Sequence, residues 1–130
     1  MNKPMVLCYN LQGPRAQLVS QLAKNAGIEP FLVPKEAYAQ LIGALCGVLT
    51  PTEEAYEGEG FNEEMMLMAH LEKGMLTRFL DGFRDIGIPS IPLKAMLTNN
   101  NSQWDSIKLH SELMEEHTYF KNAAMAAKKK

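Results

Sequence analysis

His70 stands two residues before Glu72 and directly after an apolar run, a spacing at which a carboxylate can orient an imidazole for acid–base work. No nucleophile is paired with it, so the pair supports a small enzyme only as an alternative reading. His110 and His117 lie seven residues apart on one helical face beside Glu116. Two histidines two turns apart cannot chelate one ion without a third partner, and a partly buried or solvent-facing helix surface is the favoured reading. Asn10-Leu11-Gln12-Gly13-Pro14 has the look of a phosphate loop. It holds a single glycine, lacks GxxxxGK[ST], and its proline removes a helix N-terminal donor, which favours a tight strand-to-helix turn with Arg15 as the nearest cation for an anion.

Lys94 falls inside an apolar run expected to form an edge strand, where a lysine prevents edge-to-edge pairing; a ligand-facing role is the lesser reading. Trp104 is the only tryptophan, placed to anchor a helix or to stack on a ligand. Thr98-Asn99-Asn100-Asn101-Ser102 reads equally as a cap and as a polar recognition cluster.

The elements that must position these residues follow from a repeat. Met5–Ile28 and Met65–Ile88 align without a gap at an offset of sixty, with identities at Met5/Met65, Leu7/Leu67, Leu11/Leu71, Gly27/Gly87 and Ile28/Ile88. Each unit runs from a short apolar stretch through a turn into a helical-period segment stopped by glycine. Strands are expected at Met5–Tyr9, Ile28–Val33, Met65–Ala69 and Ile91–Thr98. Helices are expected from Gly13-Pro14 to Ala26, from Pro34 to near Gly47, over Lys73–Ile86 and over Ser102–His117. Between the copies, Val48–Asn62 carries Glu53, Glu54, Glu57 and Glu59 with several turn formers and reads as a mobile acidic loop.

Two βαβα units imply a three-layer α/β fold with a four-stranded, all-parallel sheet in the order 2-1-3-4. Helix one would lie on one face and helices two and three on the other. The carboxyl ends of strands one, three and four would then meet, gathering Tyr9, Asn10, Gln12, His70, Glu72 and Lys73 with Thr98 and Asn101 alongside. Residues 1–122 form one domain (repeat one 5–47, acidic loop 48–62, repeat two 63–119), and 123–130 is expected to be a disordered basic tail.

Composition excludes several classes. A 46% hydrophobic fraction over 130 residues suits one globular domain, with no apolar run near the ~20 residues of a membrane span. The formal charge is −2, and without the three terminal lysines it is −5, an acidic body with no basic stripe for nucleic acid. Cys8 and Cys46 form neither a disulfide framework nor a metal set, and Met1–Pro4 is no signal peptide, so a cytoplasmic protein without metal or cofactor is expected.

Pro92-Leu93-Lys94-Ala95-Met96-Leu97-Thr98, followed by Asn101, Trp104 and Glu116-His117, resembles a bacterial domain-of-unknown-function family, number 3783, over about Met65–His117. Asn99 and Asn100 stand where that family has proline and threonine. The resemblance implies a small bacterial α/β protein, carries over no catalytic residue, and marks Lys94, Thr98, Asn101 and Trp104 as motif positions. The expected function is a non-enzymatic ligand-binding or regulatory module with Lys94, Thr98, Asn101, Asn10 and His70 as polar contacts and Trp104 as a wall. The alternatives are the His70/Glu72 enzyme and a protein-interaction module using the acidic loop or a sheet edge.

Overall fold

The computed structural model describes the backbone of residues 2–128 and the side chains of residues 2–118. Two apolar runs form the sheet's centre: β1, Met5–Tyr9, and β3, Met65–Ala69. Neither run alternates with polar residues, as suits strands covered on both faces. β2, Glu29–Leu32, and β4, Leu93–Met96, are the edges, giving the order β2-β1-β3-β4.

That order is the expected one, but the sheet is mixed. β1 is parallel to β2 and β3 to β4, whereas β1 and β3 are antiparallel, with Met5 opposite Ala69, Leu7 opposite Leu67 and Tyr9 opposite Met65. The all-parallel expectation assumed that every connection crosses from one end of the sheet to the other. The link from β2 to β3 does not. It descends through a 3-10 turn, Lys35–Ala39, and a single-turn helix α2, Ile42–Leu45, to Cys46, whose carbonyl accepts from His70 Nε2 beyond the end of β3. Residues 47–64 then climb back to the end from which β2 left. The expected second helix is broken at Gln40 and Leu41, both extended, where the Ile42 N–H turns to the Trp104 carbonyl at 2.8 Å instead of to the preceding turn.

α1, Gly13–Asn25, and α3, Met75–Asp85, share one face of the sheet, another departure from expectation. Reversing β3 reverses the side on which a right-handed crossover places its helix. Val19 and Ala23 of α1 pack with Phe79 and Phe83 of α3 over Val6, Cys8, Met66 and Met68. Both helices end alike. Gly27 and Gly87 adopt φ of 83° and 74°, and Ile28 and Ile88 donate back to the carbonyls of Ala23 and Phe83 at 2.8 and 3.0 Å. This is a Schellman cap, and it requires the glycine.

The opposite face is covered by the 3-10 turn, α2 and α4, Ser106–Lys128, over Leu7, Tyr9, Met65 and Leu67. Asp105 caps α4 by accepting from the Lys108 N–H at 2.8 Å, so the helix starts later than expected and runs past His117. The side chains of the expected basic tail lie outside the described residues. The acidic segment exposes its glutamates, yet it is held against the domain. Tyr56 and Phe61 pack on the second face, the Tyr56 N–H donates to the Glu36 carbonyl, and Gln40 exchanges hydrogen bonds with Thr52.

Candidate functional site

Antiparallel pairing of β1 and β3 divides the residues expected to converge. Tyr9, Asn10 and Gln12 lie at one end of the sheet; His70, Glu72, Lys73, Thr98 and Asn101 lie at the other, roughly 13 Å away along the strands. No single site contains them all.

At the β3–β4 end the polar residues satisfy one another. Asn101, 7% exposed, accepts from the Thr98 N–H at 2.8 Å, donates its own N–H to Thr98 Oγ1 at 3.0 Å, and donates Nδ2 to the Met96 carbonyl at 2.9 Å. Ser102 Oγ donates to the Asn99 carbonyl. This is a self-contained turn of the side-chain-to-backbone kind. Trp104 is partly buried on the second face, gives its carbonyl to Ile42, and carries Lys108 Nζ 5.4 Å from its ring. Lys94 is half-buried on the edge strand and donates to the Ile91 carbonyl at 2.7 Å. His70 is occupied by Cys46, and no hydrogen bond joins it to Glu72.

At the β1–β2 end the chain leaves a cleft of about 320 Å³. Here two parallel strands end side by side, and their connections depart to opposite faces, α1 to one and the 3-10 turn to the other. Such a divergence leaves a crevice beyond the strand ends. Asn10, Gln12, Leu32, Lys35, Tyr38 and Phe61 line it, with Glu59 at the rim. Asn10 sits at φ 64° and donates both Nδ2 hydrogens across the cleft's edge, to the carbonyls of Phe61 at 2.8 Å and Glu63 at 2.9 Å. Lys35 and Glu59 are exposed and bring opposite charges to the opening. Arg15 is not free to hold an anion. Its Nε and one terminal nitrogen donate to the two carboxylate oxygens of Glu64 at 2.6 and 2.8 Å, which raises the guanidinium further above its ordinary range.

Behind the cleft lies an aromatic stack. Phe61 lies 5.0 Å from Tyr38 and 3.9 Å from the His110 imidazole, nearly parallel to both. His110 Nε2 meets the Glu63 carboxylate at 2.7 Å, and this contact holds Glu63 below the usual carboxylate range. Tyr9, wholly buried, bonds Ser106 at 2.6 Å; burial pushes its phenol upward against that bond. Burial also pushes the thiols of Cys8 and Cys46 up to about 12 and about 11. The His110–Glu63 and Tyr9–Ser106 contacts join residues far apart in sequence. The one hint in the chain is that Tyr56 and Phe61 are large aromatics in an otherwise polar, acidic segment.

Among the described residues no three His, Cys, Asp or Glu side chains gather as a metal site, and no helix is long and apolar enough to cross a membrane. The architecture is that of a small three-layer α/β domain built on a mixed four-stranded sheet. Residues 64–120 match the family model of a domain of unknown function, DUF3783. The match takes in β3, α3, β4 and the first part of α4, the same half on which the motif resemblance rests. No curated protein and no solved structure matches the chain significantly.

Proposed function

We propose that the protein is a non-enzymatic binding module for a small polar molecule, held in the cleft beyond β1 and β2. One observation carries the reading: this is where adjacent parallel strands end with their connections diverging, and a cleft at the lower end of ligand-pocket size is found there. Gln12 and Lys35 supply hydrogen-bond donors, Glu59 a countercharge, and Tyr38 and Phe61 an apolar floor. The Thr98–Asn101 turn supports a structural role instead, since its polar atoms are partnered within the turn.

The test is a thermal-shift screen against nucleotides, phosphorylated metabolites and amino acids, repeated on Lys35→Ala and Asn101→Ala. A ligand at ~100 times its Kd adds about 2.7 kcal/mol, which moves Tm by on the order of 10 °C in a domain this small. A shift lost in Lys35→Ala and kept in Asn101→Ala is expected. The reverse pattern would move the site to the motif end.

A second reading, an interaction module, is favoured by the edge strand β2, where Phe31 and Leu32 are 43% and 51% exposed. Light scattering tests it: a monomer at every concentration counts against self-association through that edge.

A further inference from the structure

The cleft has one wall that is neither helix nor strand. Residues 56–64 form an irregular strap, and Gly60, Phe61 and Asn62 close one side of the opening. Besides the Arg15–Glu64 pair and the packing of Phe61 on Tyr38, two contacts hold the end of this strap. Asn10 grips its backbone from β1 through the carbonyls of Phe61 and Glu63. From α4, His110 grips its side chains, stacking on Phe61 at 3.9 Å and 12° and bonding Glu63 at 2.7 Å. The Asn10 grip does not titrate, whereas the His110 grip joins an imidazole to a carboxylate.

We propose that the His110–Glu63 contact is a proton-dependent latch on the strap, so that the cleft is more tightly closed when His110 is charged and opens more readily when it is neutral. The proposal rests on the binding role of the cleft given above and adds its regulation.

The latch stands on geometry. The His110 side chain is 17% exposed and lies between an aromatic ring and a carboxylate, a setting in which protonation converts a neutral hydrogen bond into a charge-assisted one. Charged and titratable residues lie on every surrounding element. The strap carries Tyr56, Glu57, Glu59 and Glu63, with Glu64 turned away to Arg15; the 3-10 turn carries Lys35, Glu36 and Tyr38; β1 carries Tyr9, bonded to Ser106; and α4 carries Lys108 and Glu112, paired with each other, and beyond them Glu115, Glu116 and His117. Among the described residues, only Glu63 forms a hydrogen bond or ion pair with the imidazole. Protonation at His110 therefore acts on the strap chiefly through one carboxylate.

Hydrogen exchange at Tyr56 and Gly60, the strap residues whose N–H groups are hydrogen-bonded, from pH 5.5 to 8 and corrected for intrinsic exchange rates, tests the latch in the full chain. Strap protection is expected to fall roughly threefold across that range, the size of an exposed ion pair, while the amides of β1 and β3 stay unchanged. His110→Phe keeps the ring stack without the proton, and Glu63→Gln keeps a hydrogen-bonding group without the charge. Each should abolish the pH dependence. Should His110→Phe leave the sheet amides unprotected, the exposed Glu63 position gives the same reading through Glu63→Gln. A strap whose protection is flat with pH, or whose pH dependence survives Glu63→Gln, overturns the proposal. A ligand that binds the cleft beside a flat strap overturns the latch alone. A responsive strap supports the latch even if no ligand in the screen binds.

Discussion

Asn10 and His70 occupy corresponding positions sixty residues apart, at φ 64° and 62°, the only described non-glycine residues with positive φ. Each follows a central strand, and each donates from its side chain to the backbone of a passing segment, Asn10 to Phe61 and Glu63 and His70 to Cys46. Because Leu7 faces Leu67 across the antiparallel pair, the two residues lie at opposite ends of the sheet. The left-handed conformation costs an ordinary residue roughly 1–2 kcal/mol, less for asparagine. Here it aims a side chain at the segment that each end must hold.

Asn10→Ala should therefore lose twice over. It removes two hydrogen bonds and leaves a Cβ residue in the left-handed region, for an expected cost of about 2–3 kcal/mol. Asn10→Gly removes the same bonds but suits the backbone, and it should be about 1 kcal/mol more stable than the alanine variant. Urea unfolding of the two proteins measures the difference; equal stabilities would show that the backbone at this position is not strained.

Two helical glycines should respond differently to alanine. At Gly43 a Cβ would lie 2.9 Å from the Ser102 carbonyl oxygen and 2.7 Å from Leu49, so backbone would have to move, at an expected cost of about 2 kcal/mol. At Gly82 the close atom, 2.7 Å away, is the tip of the Leu22 side chain, which can rotate, while alanine gains about 1 kcal/mol of helix propensity. Gly82→Ala should be neutral within about 0.5 kcal/mol by the same unfolding measurement.

Much of this fold is legible in the chain because it is written in short-range patterns. Apolar runs of strand length mark β1 and β3, and the Gly27-Ile28 and Gly87-Ile88 pairs mark the Schellman caps that end α1 and α3. The order β2-β1-β3-β4 follows from placing the two halves side by side. The direction of β3 is not legible, since it depends on whether residues 34–64 cross the sheet once or turn back, and the break at Gln40-Leu41 that permits the return rests on a tertiary bond to Trp104. The candidate site moved for the same reason. Asn10 and Gln12 remain in it, His70 and Thr98 went to the far end, and Lys35 and Phe61 entered through the segment that turns back.

Arg15 and Glu64 tie the start of α1 to the start of β3, with side chains 25% and 26% exposed and two-pronged geometry. This is the arrangement in which an ion pair rises above the negligible value of most surface pairs. Arg15→Ala and Glu64→Ala should each cost about 1 kcal/mol, with the double variant close to either single one. A double-mutant cycle returning a coupling near zero would show that the bond adds nothing to stability.

The acid limb of stability should carry the signature of Glu63. Its carboxyl titrates below the usual range in the folded protein, chiefly through the bond to His110. A depressed carboxylate contributes stability at pH values above its unfolded range, and that contribution is lost as pH falls through the folded value. Glu63→Gln removes the group that takes up the proton, so its stability should decline less steeply than wild type as pH drops through the carboxylate range. Denaturant midpoints measured at intervals from pH 3 to 8 for both proteins check this; parallel curves would mean that Glu63 titrates alike in the folded and unfolded chain.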